Sequence, residues 1–95
     1  MPELDRVIHE PARLRILSLL SGAGTADFTF LMKALGLTNG NLSCHMDKLE
    51  KSGYVEVSKT FQGKLPLTTY TITQTGRQSL KEYWTSLERI RDLAK

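Results

Sequence analysis

Two predicted helices follow each other with almost no chain between them, and this tight connection restricts the fold more than any other feature. The first helix covers residues 27–36 and ends at Gly36, whose missing Cβ suits the left-handed conformation that terminates a helix. The second covers residues 38–52 and begins at Thr38, whose side-chain oxygen suits an N-cap. The chain therefore contains a helix, a turn and another helix in immediate succession.

Two further helices flank this pair. The first helical region covers residues 1–21, with Pro11 at a first-turn position and a helix end at Ser21–Gly22. The last helix covers residues 74–94. The candidate N-caps are Asp27 or Thr29 for helix 27–36 and Thr73 or Thr75 for helix 74–94.

Residues 54–73 predict a β-hairpin between the third and the last helix. Two runs rich in β-branched and aromatic residues flank a segment with turn residues and a lysine at its centre. A chain of 95 residues is long enough for one core only, so residues 1–95 form a single domain. The fold class is mainly α with a small β-hairpin (α+β). The order of elements is that of a winged helix-turn-helix with an extended C-terminal helix.

Composition narrows the class of protein. Cys44 is the sole cysteine in the sequence, so an internal disulfide is excluded. No apolar stretch has the length of a membrane span or the layout of a signal peptide, and we expect a cytoplasmic protein. We expect no metal or other cofactor, because Cys44 and the separated His9 and His45 do not supply a set of soft ligands.

Helix 38–52 combines one narrow apolar stripe with a polar and mildly basic opposite face. Leu42, Met46 and Leu49 recur at spacings of four and three, which predicts a buried stripe. An α-helix fits the major groove of B-DNA, and asparagine amides can bond the edge of adenine there. His45 flanks the buried stripe, where it either packs or contacts phosphate. The predicted DNA-binding residues of this helix are Thr38, Asn39, Gly40, Asn41, Ser43, Cys44, His45, Lys48 and Lys51.

The charge distribution also favours a polyanionic partner. The formal net charge is +3, and the sequence from Val57 to Lys81 contains no acidic residue. The hairpin tip can therefore reach the adjacent minor groove or the phosphate backbone. The predicted DNA-binding residues of this wing are Lys59, Gln62, Gly63 and Lys64.

The last helix carries apolar residues at alternating spacings of three and four. This repeat can form a seam with a partner helix, which predicts a homodimer, or it can cover the domain's own core. The residues concerned are Leu80, Tyr83, Trp84, Leu87, Ile90 and Ala94. A further hypothesis places an unknown small-molecule effector in a cleft lined by Tyr83 and Trp84.

Nearly the whole chain resembles stand-alone winged-helix transcriptional regulators related to the MarR and ArsR families. The motifs that carry the resemblance are PARLRILSLL at 11–20, LSCH at 42–45, LEKSGY at 49–54 and TQTGR at 73–77. The resemblance implies base and phosphate contacts from residues 38–48 and from the wing, and dimerisation through the terminal helices. It also implies a repressor-like regulator that binds a roughly palindromic operator in double-stranded DNA.

Three other interpretations compete with this one. Ser43, His45 and Asp47 are the residue types of a catalytic triad, but His45 points about 200° away from Ser43 around one helix, so we expect no enzyme. Cys44 on the outward face suggests a redox switch, which stays a hypothesis. The alternative function is a winged-helix module that binds a protein partner without DNA, and salt dependence distinguishes the two.

Overall fold

The computed structural model describes residues 3–94 as four helices and a three-stranded antiparallel sheet, which confirms the predicted fold class. The elements are α1 (Pro11–Ala23), β1 (Thr25–Asp27), α2 (Phe28–Leu35), α3 (Asn39–Lys51), β2 (Val55–Gln62), β3 (Leu65–Ile72) and α4 (Gln74–Leu93). Within these residues, no helix is both long and apolar enough to cross a membrane.

Side-chain caps fix where the later helices begin. The Asp27 carboxylate accepts a hydrogen bond from the Phe30 amide at 2.8 Å, and the Thr73 hydroxyl accepts one from the Gly76 amide at 2.9 Å. Asp27 and Thr73 are thus the caps among the alternatives. The predicted end of α1 at Ser21–Gly22 is wrong, because the helix continues to Ala23 and Gly24 takes the positive φ of 82°.

The predicted hairpin is part of a larger sheet. Strand β1 pairs with β3, so the order is β1-β3-β2, and Thr25 lies opposite Thr71. Three residues are too few to show a strand periodicity, and their pairing with a strand more than forty positions away has no local signal. Strand β1 fixes the start of α2 against the base of the wing.

The core lies between the helices and one face of the sheet. Its buried side chains are Ile8, Ile16, Leu17, Leu20, Leu31, Leu42, Met46, Leu49, Val55, Tyr70, Ile72, Leu80 and Tyr83. The start of α4 lies very close to the backbone of Tyr54, because a Cβ at Gly76 would be 2.3 Å from the Tyr54 carbonyl oxygen. Glycine at this position lets the first turn of α4 pack against the backbone of Tyr54, just before β2.

Two segments extend away from this core. Every residue from 58 to 66 in the outer part of the wing is exposed, and most residues from 88 to 94 at the end of α4 are exposed too. The molecule measures 56 × 25 × 21 Å along its principal axes. The elongated shape leaves both segments accessible to partners.

Candidate nucleic-acid interface

Helix α3 is held in place by its inner face. Leu42 and Leu49 are fully buried and Met46 is 1% exposed, so the predicted apolar stripe is in the core. Because these side chains recur along one side of the helix, the other side is turned to solvent. The orientation of the exposed face is therefore set by packing and not by surface contacts.

The first two turns of α3 present small, uncharged polar groups. The Thr38 hydroxyl accepts a hydrogen bond from the backbone N–H of Asn41 at 3.2 Å. Thr38 is thus the capping side chain, and the side chain of Asn41 does not take part in the cap. The exposed residues of this part of the helix are Thr38, Asn39, Gly40, Asn41, Ser43 and Cys44. Backbone N–H groups in a first helical turn lack intrahelical acceptors and attract anions. This end of α3 can accept both a base edge and a phosphate.

The second half of α3 carries balanced charge. Lys51 forms an ion pair with Asp47, at 2.8 Å between Nζ and Oδ2. The hydrogen bond and the charge of Asp47 raise the pKa of Lys51. Lys48 and Glu50 are exposed beside this pair, so the helix has two lysines and two acidic residues and no net charge. The mildly basic character expected of this face is thus cancelled along the helix.

His45 turns away from the exposed face, which fits the packing role predicted for it and not its place among the DNA-binding residues. Its Nδ1 lies 3.2 Å from the Glu10 Oε2 and 3.1 Å from the Arg13 Nη1. Arg13 is itself buried and donates from Nε to the Val7 carbonyl oxygen at 2.6 Å. His45 therefore holds α3 against the first turn of α1. Arg13 and His45 are 32 residues apart in the sequence, so no local pattern indicates this contact.

The wing ends in a two-residue turn. Gly63 has a φ of 64°, and Gln62 pairs with Leu65 across the turn. The predicted wing residues Lys59, Gln62, Gly63 and Lys64 are all exposed. Sequence reasoning missed two large apolar side chains beside them: Phe61 is 74% exposed and Leu65 is 71% exposed. Their positions next to the turn could have indicated from the sequence that both side chains are exposed.

The apolar stripe of α4 divides between two environments. Leu80 and Tyr83 are each only 4% exposed and belong to this chain's own core, so they are not available to a partner subunit. The Tyr83 hydroxyl also lies 2.9 Å from the His9 Nδ1. Among the other predicted dimerisation residues, Trp84 is 44% exposed, Leu87 and Ile90 are half-buried, and Ala94 is exposed. Leu93, which the prediction omitted, is 65% exposed.

Tyr83 and Trp84 do not line the same cleft, contrary to the effector hypothesis. A cleft of about 280 Å³ lies between the segment before α1 and α4, and Tyr83 is on its wall with Asp5 and Glu82. Trp84 faces a separate depression with Leu87. Among residues 3–94, no group of three or more His, Cys, Asp or Glu side chains is arranged to hold a metal ion.

Comparison with known proteins identifies the family. The family model described as "Winged helix DNA-binding domain" matches residues 12–91. An uncharacterised protein of Methanocaldococcus jannaschii is 37% identical over 78 residues, which are 82% of this chain and 85% of that protein.

Solved structures agree with this match. A transcriptional regulator homologue from Pyrococcus horikoshii is 32% identical, with a TM-score of 0.88 over 96% of this chain and 90% of that one. A MarR-family regulator from Silicibacter pomeroyi is 19% identical (TM-score 0.68, 93% and 58% covered). An ArsR-family regulator is 20% identical (TM-score 0.67, 92% and 90% covered). These last two show the shared fold alone, and the family match confirms the winged-helix resemblance stated from the sequence.

Proposed function

The chain belongs to the winged helix DNA-binding domain family, and from this premise we propose that it is a sequence-specific, repressor-like transcriptional regulator. Membership in this family identifies a DNA-binding protein and not an enzyme. In our proposal the protein binds double-stranded DNA as a homodimer, with α3 in the major groove and the wing on the flanking groove or backbone.

The observation that carries the proposal is the contrast between the two sides of α3. Every apolar side chain of its stripe is buried, while its first turns expose amides, a hydroxyl and a glycine. Bidentate hydrogen bonds from an asparagine amide suit the N6 and N7 atoms of adenine. We assign base reading to Asn41 and Asn39, with Thr38 and Ser43 on bases or phosphate. Gly40 allows the backbone to approach the duplex.

Lysines supply the contacts that do not depend on base sequence. Lys48 on α3 has no acidic partner among the described ion pairs, in contrast to Lys51, which is paired with Asp47. Lys59 and Lys64 extend along the wing, where no acidic residue neighbours them in the sequence. Each such lysine at a phosphate releases counterions, so binding falls as the salt concentration rises.

The second half of α4 is the surface we propose for dimerisation. Trp84 and Ala94 are exposed, and Leu87 and Ile90 are half-buried, on one side of the part of the helix farthest from its N-cap. A second copy of this helix would cover these apolar groups around a two-fold axis. A two-fold dimer places two recognition helices on the half-sites of a palindrome. Repression follows if the dimer occupies DNA that other proteins need.

The test is selection from a random pool of duplex DNA at two salt concentrations, with the mass of the free and bound protein measured in the same samples. We expect a palindromic motif bound by a dimer, with weaker binding at the higher salt concentration. A folded protein that enriches no sequence at either concentration would contradict the proposal. That result would favour the winged-helix module that binds a protein partner.

A further inference from the structure

The tip of the wing is apolar on both of its faces. Phe61 lies opposite Pro66 in the strand register, and Leu65 lies opposite Gln62. Directly paired residues of an antiparallel ladder share a face, and neighbours along a strand alternate. Phe61 and Leu65 therefore project from opposite faces of the same narrow tip. With exposures of 74% and 71%, both side chains are mostly open to solvent.

The charges around this tip indicate what covers it. Lys64 is in the turn between the two strands, and Lys59 is on β2 two residues before Phe61. The nearest acidic residue before the tip is Glu56, at the base of β2, and the next one after it is Glu82 on α4. Within residues 58–66 the charged side chains are Lys59 and Lys64, while Asp27 on β1 lies near Pro66 and Leu67. Apolar groups beside these lysines complement a polyanion that also offers an apolar interior. The stacked bases of duplex DNA, between two rows of phosphates, have this combination.

We propose that the wing tip is an apolar wedge that enters the minor groove beside the bases read by α3, where Phe61 partly unstacks one base step and Leu65, on the opposite face, contacts the groove wall. This proposal rests on the proposed function and deepens it. Phenylalanine and leucine are among the side chains that proteins insert between base steps, with a resulting kink in the duplex. Lys59 and Lys64 hold the phosphates on either side of the opened step.

A wedge of this kind adds a second source of sequence preference. Pyrimidine–purine steps such as TA and CA/TG unstack and kink more easily than other steps. The preferred operator should therefore carry such a step at a fixed distance outside each half-site read by α3. Phe61 would select that step by its deformability, without hydrogen bonds to its base edges.

The test uses the duplex recovered from the random pool by the wild-type protein, with 2-aminopurine placed in turn at each flanking step. Emission of this base analogue rises when it is unstacked. We expect wild-type protein to raise the emission at one flanking step per half-site. Phe61→Ala should abolish this rise and weaken binding roughly tenfold, because stacking on an aromatic side chain contributes in that range. The slope of affinity against salt should stay unchanged, since no phosphate contact is lost.

Matched variants separate the wedge from other causes. Phe30→Ala removes another exposed phenylalanine, on α2 outside the wing, and should leave emission and affinity unchanged. Phe61→Leu keeps an apolar side chain and should retain part of the emission rise. Because Phe61 is exposed, urea unfolding of Phe61→Ala should match that of the wild type, which shows that the variant folds.

The outcomes distinguish this proposal from the proposed function. Wild-type binding with no emission change at any flanking step, or Phe61→Ala binding as tightly as wild type, overturns the wedge and leaves the regulator intact. Loss of the dimer in Phe61→Ala would assign the tip to contact between copies of the chain and also overturns it. Failure to select any duplex contradicts the proposed function itself.

Discussion

Helix α3 and the outer wing are the two candidate DNA-contacting regions, and they are built in opposite ways. The inner side chains of α3, Leu42, Met46 and Leu49, are buried, and its outer first turns are polar and uncharged. Residues 58–66 of the wing are all exposed and combine lysines with apolar side chains. Bidentate hydrogen bonds need donors and acceptors in fixed positions, whereas phosphate attraction and stacking tolerate small shifts. The anchored region therefore suits base reading, and the projecting region suits contacts that depend little on the identity of the base.

The largest effect should come from shortening a leucine in each region. Leu42→Ala removes a fully buried side chain beneath α3 and should lower the free energy of unfolding by about 2–5 kcal/mol. Leu65→Ala makes the same chemical change on the exposed wing tip and should alter it by less than about 0.5 kcal/mol. Urea unfolding followed by circular dichroism measures both. Equal losses for the two variants would show that the wing tip is packed and that the contrast between the regions is wrong.

The next effect compares a base contact of α3 with a phosphate contact of the wing. Asn41→Ala should weaken binding to the selected duplex by about 1–3 kcal/mol and relax the preference at one base pair of each half-site. Lys64→Ala should weaken binding to all sequences alike and reduce the salt slope by about one. A binding assay on single-base variants of the duplex compares the two. An unchanged preference in Asn41→Ala would mean that another residue of α3 reads the bases.

A smaller effect concerns Tyr54, between α3 and the wing. Its hydroxyl donates a hydrogen bond to Asp5, and Tyr54→Phe should lower the free energy of unfolding by about 1 kcal/mol at neutral pH. Burial, followed by the bond to Asp5, raises the pKa of Tyr54. Because the folded-state pKa is the higher one, this contribution is complete below the unfolded pKa of about 10 and is lost as the pH rises through the folded value.

The measurement for Tyr54 is urea unfolding of both proteins from pH 8 upward into the alkaline range. The difference between wild type and Tyr54→Phe should be constant near pH 8 and shrink above the unfolded pKa of about 10. A difference that grows with pH would contradict the assigned role of the Asp5 contact.

The smallest effect is of opposite sign for stability and for binding. A Cβ at Gly40 would meet no atom within 4 Å, and the residue is helical, so Gly40→Ala should stabilise the protein by about 0.4–1 kcal/mol. If the duplex occupies the space beside α3, the added methyl should at the same time weaken DNA binding. Thermal unfolding and a binding assay on the same sample check both. Tighter or unchanged binding would place the duplex away from this turn.

Local signals predicted much of this molecule. The stop at Gly36, the cap at Thr38 and the spacing of Leu42 and Met46 depend on neighbouring residues, so helix α3 and its buried side could be predicted from the sequence. Its exposed face followed from the same periodicity.

Features that depend on distant residues could not be predicted in this way. Strand β1 exists through its pairing with β3. The side chain of His45 contacts Glu10 and Arg13, which lie more than thirty positions earlier in the sequence. The stripe on α4 is continuous in sequence, yet only the fold decides that Tyr83 is core and Trp84 is exposed.

The central claim, that α3 and the wing together contact DNA while the end of α4 does not, can be tested by nuclear magnetic resonance. The measurement is a titration of isotope-labelled protein with the selected duplex, followed through the backbone amide shifts. The account predicts the largest shift changes in residues 38–44 and 59–66, and little change in residues 88–94. Large changes confined to α4, with α3 unaffected, would contradict it.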